Sequence, residues 1–247
     1  ALGAPLVPYF DWVLLRDKRL GRCIQNIGGI GNVTYIPPGA SWQEVVAFDT
    51  GPGNMIIDEL ASIATNGKQN CDLDGLLAAS GTVDEALLDR WMSDPYFVRK
   101  PPKTTGRELF GAQFATRIVS ESREMKIEDL IATATALTAE SIARSYRDFV
   151  EPYGRIDEVL LAGGGSKNPT LVAVQIRGGT RSNITPYPAR KNVFASPSAS
   201  QVAASSRSPR RWCTTGSPGS GGRRTGRRRA SSMRTADRPR APGHSRS

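Results

Sequence analysis

The stretch that decides the fold of this chain is FDTGPGN, residues 48–54. It follows the apolar run VVAF at 45–48 and precedes the amphipathic segment MIIDELA at 55–61. This order predicts a strand, a tight turn and a helix, with backbone N–H groups of the turn facing a phosphate. Asp49 suits a general base or a group that orients magnesium-bound water, unless it only caps the helix. A phosphate-handling enzyme is therefore the first hypothesis.

Two further glycine segments point to ligand contacts. The run GGG at 163–165 follows the apolar stretch 156–162, which predicts a buried strand, and three glycines let a backbone lie flat against a nucleoside. It lacks the Lys-Ser/Thr of a P-loop and the dinucleotide spacing, so a tight connection remains the alternative. Asn26 and Gly28 belong to the bend QNIGGIGN at 25–32, whose amides suit sugar hydroxyls. There the alternative is a hairpin turn supported by asparagine.

Residues 101–108, with the sequence PPKTTGRE, form a third candidate segment. Its prolines restrict the backbone, and two hydroxyl groups follow them. Lys103 and Arg107 suit the binding of an anionic or hydroxyl-rich substrate. The alternative is a surface loop in which Thr105 caps a helix that begins near Arg107.

Alternating strand and helix patterns predict an α/β fold over the first part of the chain. A hairpin is predicted from strands at 22–27 and 32–36. Helices are predicted at 54–65, at 76–81, at 83–92 with Thr82 or Asp84 as its cap, at 128–151, and from Pro169 onward. The longest of them keeps apolar residues at a 3.6-residue period, which indicates a core-facing helix without chemistry.

Charge divides the chain into two parts. Residues 1–170 carry 17 Lys and Arg against 22 Asp and Glu, whereas residues 171–247 carry 16 Lys and Arg against one acid. Beyond about Tyr187, Ser, Arg, Pro and Gly dominate and hydrophobic periodicity disappears. Such a composition buries too little apolar surface to offset chain entropy. We therefore expect residues 188–247 to be a disordered basic tail.

Other sequence features argue against a membrane-spanning segment, a cysteine metal site and a disulfide framework. No apolar run reaches the roughly 18–20 residues that span a bilayer, and the first residues do not resemble a signal peptide. Cys23, Cys71 and Cys213 are an odd count, far apart and in no metal-like spacing. This favours reduced thiols and a cytoplasmic location.

Taken together, five segments resemble the anhydro-N-acetylmuramic acid kinases in order and spacing. They are GAPLVP at 3–8, NIGG at 26–29, FDTGPGN at 48–54, PKTTGRE at 102–108 and GGGSKNP at 163–169. The resemblance covers about residues 1–185. It implies that residues 1–187 form the second lobe of an actin-like, ribonuclease H-like ATPase fold, with a mixed sheet flanked by helices. It also implies use of ATP and Mg²⁺ to open the 1,6-anhydro ring with water and phosphorylate O6, giving N-acetylmuramic acid 6-phosphate.

The resemblance further implies residue roles. Asp49 would be the base that activates the water. The ATP contacts would be Thr50, Gly51, Gly53, Gly163, Gly164, Gly165 and Asn168. The substrate contacts would be Asn26, Gly28, Lys103, Thr105 and Arg107. No metal ligand is assigned. The expected partners are the amino sugar and ATP, with bacterial cell wall as the source of the sugar, and the family commonly forms homodimers.

Two departures from the family pattern qualify these expectations. The family's Ser-Gly-Thr-Ser-x-Asp-Gly and Ser-His-Gly-Gln-Thr segments are not in this sequence. We therefore expect most of the first lobe to be missing and this chain to be weakly active or inactive, because half of the phosphate cradle is gone. The basic tail also replaces the family's apolar helix and its Gly-Asn-x-Pro-x-x-Thr-Gly-Ala ending.

The tail has two interpretations. Arg223, Arg224 and residues 227–229 would contact phosphates if it were a nucleic-acid-binding arm. We favour translation in a wrong reading frame, because the change is abrupt and falls where an apolar helix is due. Three alternatives to the function that the resemblance implies remain: a catalytically inactive sugar-binding remnant, another actin-like sugar or acetate kinase, and a basic nucleic-acid-binding protein.

Overall fold

The computed structural model describes residues 6–177 and 183–186. Its helices are α1 Leu6–Leu15, α2 Met55–Ala64, α3 Leu76–Ser80, α4 Glu85–Met92, α5 Pro95–Val98, α6 Arg107–Phe110, α7 Ala112–Glu121, α8 Ile127–Phe149 and α9 Pro169–Arg177. Its strands are β1 Arg22–Ile27, β2 Ile30–Ile36, β3 Val46–Pro52, β4 Glu158–Ala162 and β5 Asn183–Pro186. The predicted tail at 188–247 lies outside the described residues, and the boundary at residue 187 stays a prediction.

The strands form one mixed sheet in the order β3-β2-β1-β4-β5. β2 is antiparallel to both β1 and β3, whereas β4 is parallel to β1 and β5 is parallel to β4. A parallel return needs a long crossover, and the helices between β3 and β4 supply it. The prediction of an α/β fold with a mixed sheet flanked by helices is confirmed.

The two faces of the sheet are covered by different helices, because successive side chains of a strand point to opposite sides. On one face, Cys23 and Phe48 belong to the same apolar cluster as Ile142 of α8. On the other face, Ile24 packs with Leu15 of α1. The sheet is thus buried on both sides, with the long helix α8 on one and the short helix α1 on the other.

Helix α8 connects the sheet to the other helices. Leu137 belongs to the cluster formed with α2, α4 and α7, and Ile142 belongs to the cluster on the sheet. Between these two positions, the Thr138 hydroxyl donates a hydrogen bond of 2.8 Å to the carbonyl of Gly53. The interpretation of this segment as a core-facing helix is confirmed.

Strand β3 is longer than predicted. It runs through Val46–Pro52, so the prediction of a turn directly after Phe48 is wrong. Asp49 lies opposite Asn32 of β2, next to a register shift in that strand. Pairing with β2 outweighs the local turn preference of glycine and proline, and proline is tolerated because β3 is an edge strand. The turn itself lies at residues 53–54, before α2.

Helix α1 has no counterpart in the sequence predictions, and neither do α5 and α7. α1 is apolar on nearly all sides, so it shows no 3.6-residue period. On its inner side, Asp11 accepts a hydrogen bond of 2.9 Å from the Thr34 hydroxyl. Its outer side exposes six large hydrophobic side chains: Leu6, Val7, Tyr9, Phe10, Val13 and Leu14. α1 therefore presents an apolar surface to the outside of the described part.

The helix caps answer two questions that the sequence left open. The Asp84 carboxylate accepts a 2.9 Å hydrogen bond from the Leu87 N–H, so Asp84 rather than Thr82 caps α4. α6 begins after Gly106, and no side-chain bond caps it. The alternative in which Thr105 caps that helix is therefore wrong.

The cysteines depart from the prediction of reduced thiols. Cys23 is a buried free thiol whose pKa is raised well above its usual value, mainly by burial. Cys71 is disulfide-bonded, so the prediction is wrong for that residue. Among residues 6–177 and 183–186, no helix is long and apolar enough to cross a membrane.

Candidate functional site

A row of polar side chains crosses three strands on the face of the sheet that carries α1. Asn26 of β1 lies opposite Asn32 of β2, and Asn32 lies opposite Asp49 of β3. Directly opposed residues share a face, and all three are partly exposed. The sequence analysis assigned Asn26 and Asp49 to a site and included Asn32 only as part of the bend 25–32; the strand register places Asn32 between them.

Three contacts hold Asp49 in place. Its carboxylate Oδ2 accepts a 3.0 Å hydrogen bond from the Thr105 N–H. Its own N–H donates to the Lys103 carbonyl at 3.1 Å, and its carbonyl accepts from the Tyr96 hydroxyl at 2.7 Å. Burial raises the pKa of Asp49, and the Thr105 N–H partly opposes that rise. The segment 101–106 thus lies along the free edge of β3 and orients this carboxylate.

Turns from three parts of the chain converge beside this row. The N–H of Asn54 donates to the Gly28 carbonyl at 2.7 Å, and the N–H of Gly53 donates to the Gly29 carbonyl at 3.0 Å. These bonds join the β1–β2 hairpin to the turn between β3 and α2. The Asn54 side chain lies against the third turn, 163–165, after β4. The structure therefore brings the predicted glycine segments together.

Close packing explains three of the glycines in these turns. A Cβ on Gly53 would lie 2.1 Å from the Gly28 carbonyl oxygen, and a Cβ on Gly165 would lie 2.4 Å from the Ile27 side chain. Gly163 has a φ of +82°, and its Cβ would meet the Ile27 carbonyl oxygen at 2.5 Å. These three glycines are required by close packing of backbone on backbone or side chain.

Gly28 and Gly164 are less constrained. The nearest atom to a Cβ would be 3.6 Å away at Gly28 and 3.4 Å away at Gly164, which is ordinary or nearly ordinary contact. Gly164 is exposed and Gly28 is partly exposed, whereas Gly51 and Gly53 are buried. Gly163 is exposed as well, so the backbone that a nucleotide or sugar could approach lies at Gly28, Gly163 and Gly164.

Three predicted ligand contacts have protein partners instead. Thr50 is fully buried, and its hydroxyl oxygen accepts from the Gln25 side chain at 3.4 Å. The Asn168 side chain accepts from the Leu171 N–H at 3.0 Å and caps α9. Lys103 is also buried. We revise these assignments, because each side chain would have to break internal contacts to reach a ligand.

The remaining two predicted contacts are Thr105, whose N–H bonds to the Asp49 carboxylate, and Arg107 of the following helix. Arg107 is exposed on α6. The Thr105 hydroxyl is buried, and it has no hydrogen-bond partner within the described residues. An unpaired buried hydroxyl costs free energy, so this group is available to a partner that the described residues do not supply.

Asp58 is a further titratable group that the sequence analysis missed. It lies on α2, one turn beyond Asn54, where its N–H donates to the Asn54 carbonyl at 2.7 Å. Burial and, to a smaller extent, the neighbouring Asp72 together raise the pKa of Asp58 to about 7. The signal in the sequence was its spacing of four residues from Asn54, which places both on one side of the helix.

Replacement of Asp58 by Asn is expected to change the pH dependence of stability. The folded-state pKa of about 7 lies above the ordinary 3.8, so the folded protein keeps a proton that the unfolded chain loses. The stabilising contribution is complete below about pH 4 and is lost as the pH rises to about 7. We expect Asp58→Asn to be more stable than wild type at pH 8 by on the order of 1–2 kcal/mol.

Urea unfolding at pH 5 and at pH 8 measures this difference. The matched control is Asp89→Asn on α4, because Asp89 is exposed. The expectation is wrong if both variants show the same pH dependence as wild type.

The fold and the site thus define an α/β lobe with a mixed sheet, in which glycine turns lie beside the Asp49 carboxylate. The family model "Anhydro-N-acetylmuramic acid kinase" matches residues 1–178. The chain belongs to the anhydro-N-acetylmuramic acid kinase family.

Curated relatives agree with this membership. The anhydro-N-acetylmuramic acid kinase of Caldanaerobacter subterraneus subsp. tengcongensis is 51% identical over 172 residues, which are 69% of this chain and 43% of the relative. That of Gloeobacter violaceus is 52% identical over 166 residues, which are 67% of this chain and 43% of the relative. The chain thus spans less than half the length of these relatives.

A solved structure shows a weaker similarity. It is the activator of the 2-hydroxyisocaproyl-CoA dehydratase from Clostridium difficile with bound ADPNP, at 17% identity and a TM-score of 0.43. The match covers 67% of this chain and 53% of that protein. A similarity at this level supports no conclusion about function.

Proposed function

We propose that this chain supplies the base and the glycine turns of an ATP-dependent kinase for 1,6-anhydro-N-acetylmuramic acid. The observation that carries the proposal is the Asp49 carboxylate, which is oriented by the Thr105 N–H through Oδ2. Its Oδ1 has no hydrogen-bond partner among the residues that the structure describes. A half-buried carboxylate with one oxygen free and a raised pKa suits proton abstraction.

The proposed chemistry assigns one step to Asp49. A water molecule adds to C1 of the sugar, and Asp49 accepts its proton. The bond between C1 and O6 breaks, and O6 takes the terminal phosphoryl group of ATP. The products are N-acetylmuramic acid 6-phosphate and ADP, and the proton on Asp49 passes to solvent. In this scheme Asp49 takes a proton from water and makes no bond to the phosphoryl group.

ATP and Mg²⁺ fit the residues that are present. The accessible backbone at Gly28 and Gly164 suits close approach by a nucleotide. Within the described residues, no group of three or more His, Cys, Asp or Glu is placed to bind a metal ion. Mg²⁺ is accordingly proposed to enter with the nucleotide phosphates, which is its usual mode in kinases, and to neutralise their charge.

Turnover of 1,6-anhydro-N-acetylmuramic acid tests the function. The chain is incubated with ATP, Mg²⁺ and this sugar, and N-acetylmuramic acid 6-phosphate is followed by ³¹P NMR and mass spectrometry. The assay is run on the chain alone, where we expect little or no product, and on the chain mixed with the remaining portion of the Caldanaerobacter relative. Calorimetry with the sugar alone separates an inactive sugar-binding remnant from a kinase.

Phosphorylation of acetate or of N-acetylglucosamine in place of the anhydro sugar would contradict the proposal. N-acetylmuramic acid without the 1,6-anhydro ring is the matched control substrate, since it lacks the bond that water opens. The bacterial cell wall as sugar source, a cytoplasmic location and a homodimer remain predictions. Nucleic-acid binding through the tail concerns residues outside the described ones.

Thr105→Val is expected to weaken sugar binding without lowering the stability of the fold. Valine keeps the shape of threonine, and the buried hydroxyl that it removes has no hydrogen-bond partner in the described part of the chain. We expect unfolding free energy to stay within about 0.5 kcal/mol of wild type, or to rise. If the hydroxyl binds the sugar, the Kd rises about 5- to 10-fold, because one hydrogen bond is lost. Calorimetry and thermal unfolding measure the two effects, and Thr104→Val is the control, because Thr104 is exposed.

A further inference from the structure

Lys103 carries a buried ammonium group with no carboxylate paired to it in the described part of the chain. The residue is only 2% exposed. Its Nζ donates to the carbonyls of Tyr96 at 3.4 Å and Phe97 at 3.5 Å. It also lies 4.6 Å from the ring centre of Phe149, 4.8 Å from that of Tyr96 and 5.8 Å from that of Phe48. Carbonyl oxygens and aromatic faces therefore replace a counterion.

Burial of the Lys103 ammonium group at this position costs free energy. Burial is the main reason that the pKa of Lys103 falls to about 8. Arg144 and Arg99 lower this pKa further, and Asp148 opposes them. An apolar side chain of similar length, such as methionine, would fill the same space without removing a charge from water. Packing alone thus gives no reason for a lysine here.

The contacts of Lys103 form a closed circuit with Asp49. The Lys103 ammonium holds the Tyr96 carbonyl, and the Tyr96 hydroxyl donates to the Asp49 carbonyl at 2.7 Å. The Lys103 carbonyl accepts from the Asp49 N–H at 3.1 Å. Two residues further on, the Thr105 N–H donates to the Asp49 carboxylate. Lys103 therefore joins α5 and the segment 101–106, both of which contact Asp49.

We propose that Lys103 and Tyr96 form a clamp that positions the Asp49 carboxylate. The ammonium ties the segment 101–106 to the carbonyl groups at the end of α5, and this fixes the Thr105 N–H against Oδ2. Lys103 and Tyr96 are positioning residues, because they act through the Asp49 backbone and carboxylate rather than on substrate. The proposal deepens the proposed function and rests on it, since Asp49 is the base in both.

The clamp explains why Lys103 is not a substrate contact. Its ammonium points into the cage formed by Phe48, Tyr96 and Phe149, and the polar contacts toward Asp49 come from the backbone. In the segment 101–106, the buried Lys103 side chain therefore anchors the segment to α5. Main-chain groups of Lys103 and Thr105 hydrogen-bond to Asp49 and orient its carboxylate.

Lys103→Met tests the clamp in the intact chain. Methionine keeps the cage filled, so Asp49 stays buried, while the tie to the carbonyls is lost. We expect the amide hydrogens of Asp49 and Thr105 to exchange about 5- to 10-fold faster, since each hydrogen bond that holds them weakens. We also expect the pKa of Asp49 to rise, because the Thr105 N–H that lowers it is no longer fixed. Amide exchange and the ¹³C shift of the Asp49 carboxyl, both followed by NMR, measure these effects.

A matched control and a second variant make the test decisive. Lys100→Met makes the same change at an exposed lysine three residues earlier, and it should leave both readouts unchanged. Tyr96→Phe keeps the ring and removes only the hydroxyl that reaches Asp49, so it should speed exchange at Asp49 even if Lys103→Met fails to fold. The clamp is overturned if the folded variants exchange and titrate like wild type.

The outcome separates the clamp from the proposed function, because neither NMR measurement requires turnover. If Asp49 is essential for turnover but Lys103→Met leaves its amide exchange and titration unchanged, the function stands and the clamp is wrong. If Lys103→Met changes both readouts while Asp49→Asn leaves turnover intact, the clamp exists but does not serve a base.

Discussion

Asp49→Asn is expected to lower kcat about 10²- to 10⁴-fold, the range that a general base contributes. The asparagine oxygen can still accept from the Thr105 N–H, which lies 3.0 Å from the Asp49 carboxylate. It cannot take a proton from water. The substitution therefore removes the chemistry and keeps the local geometry. Because burial raises the pKa of Asp49, removal of the charge should leave stability equal to or greater than that of wild type.

Wild type and Asp49→Asn are compared in whichever preparation converts substrate, either the chain alone or the chain mixed with the remaining portion of a relative. Initial rates at saturating sugar report kcat, and thermal unfolding reports stability. The exposed carboxylate substitution Asp89→Asn is the control for net charge. An Asp49→Asn variant that keeps more than about a tenth of wild-type kcat would remove Asp49 from the role of base.

Gly53→Ala is expected to lower the free energy of unfolding by about 3 kcal/mol, as overpacking in a tight contact does. Its Cβ would lie 2.1 Å from the Gly28 carbonyl oxygen, which is backbone and cannot swing aside. The Gly53 carbonyl also accepts from the Thr138 hydroxyl. A shift of this turn would therefore disturb both the hairpin and α8. For a domain of this size the melting temperature should fall by roughly 6–12 °C.

Gly28→Ala is the matched control for Gly53→Ala. It lies in the same group of turns, and the nearest atom to its Cβ would be 3.6 Å away. We expect it to melt within about 3 °C of wild type, since no close contact is created. Equal melting temperatures for the two variants would show that the turns are not packed as described.

Local sequence patterns predicted most of the secondary structure. α2, α8 and β4 were predicted within one or two residues of their ends, because period and capping signals are local. α1 was missed, since a helix that is apolar on nearly all sides has no periodic signal. The end of β3 was wrong, because pairing with β2 held the FDTGP segment extended despite its glycine and proline.

The residues of the candidate site were likewise predicted only in part from the sequence. Asp49 could be named from its residue type and its place after an apolar run. Lys103 and Thr50 were expected to contact ligands, but both side chains are buried, and a sequence does not say whether a polar side chain points outward or into the interior. Asn32 joined the site only through strand register.

The sequence by itself determined the family, most of the strands and helices, and the glycine segments and carboxylate that we propose for the chemistry. Only the tertiary structure decided which of those groups face a ligand. The physical reason is that element formation depends on neighbours a few residues away, whereas burial and hydrogen-bond partners depend on residues distant in the chain. Thr105 reaches Asp49 across 56 residues, and the Tyr146 hydroxyl reaches Gln25 across 121.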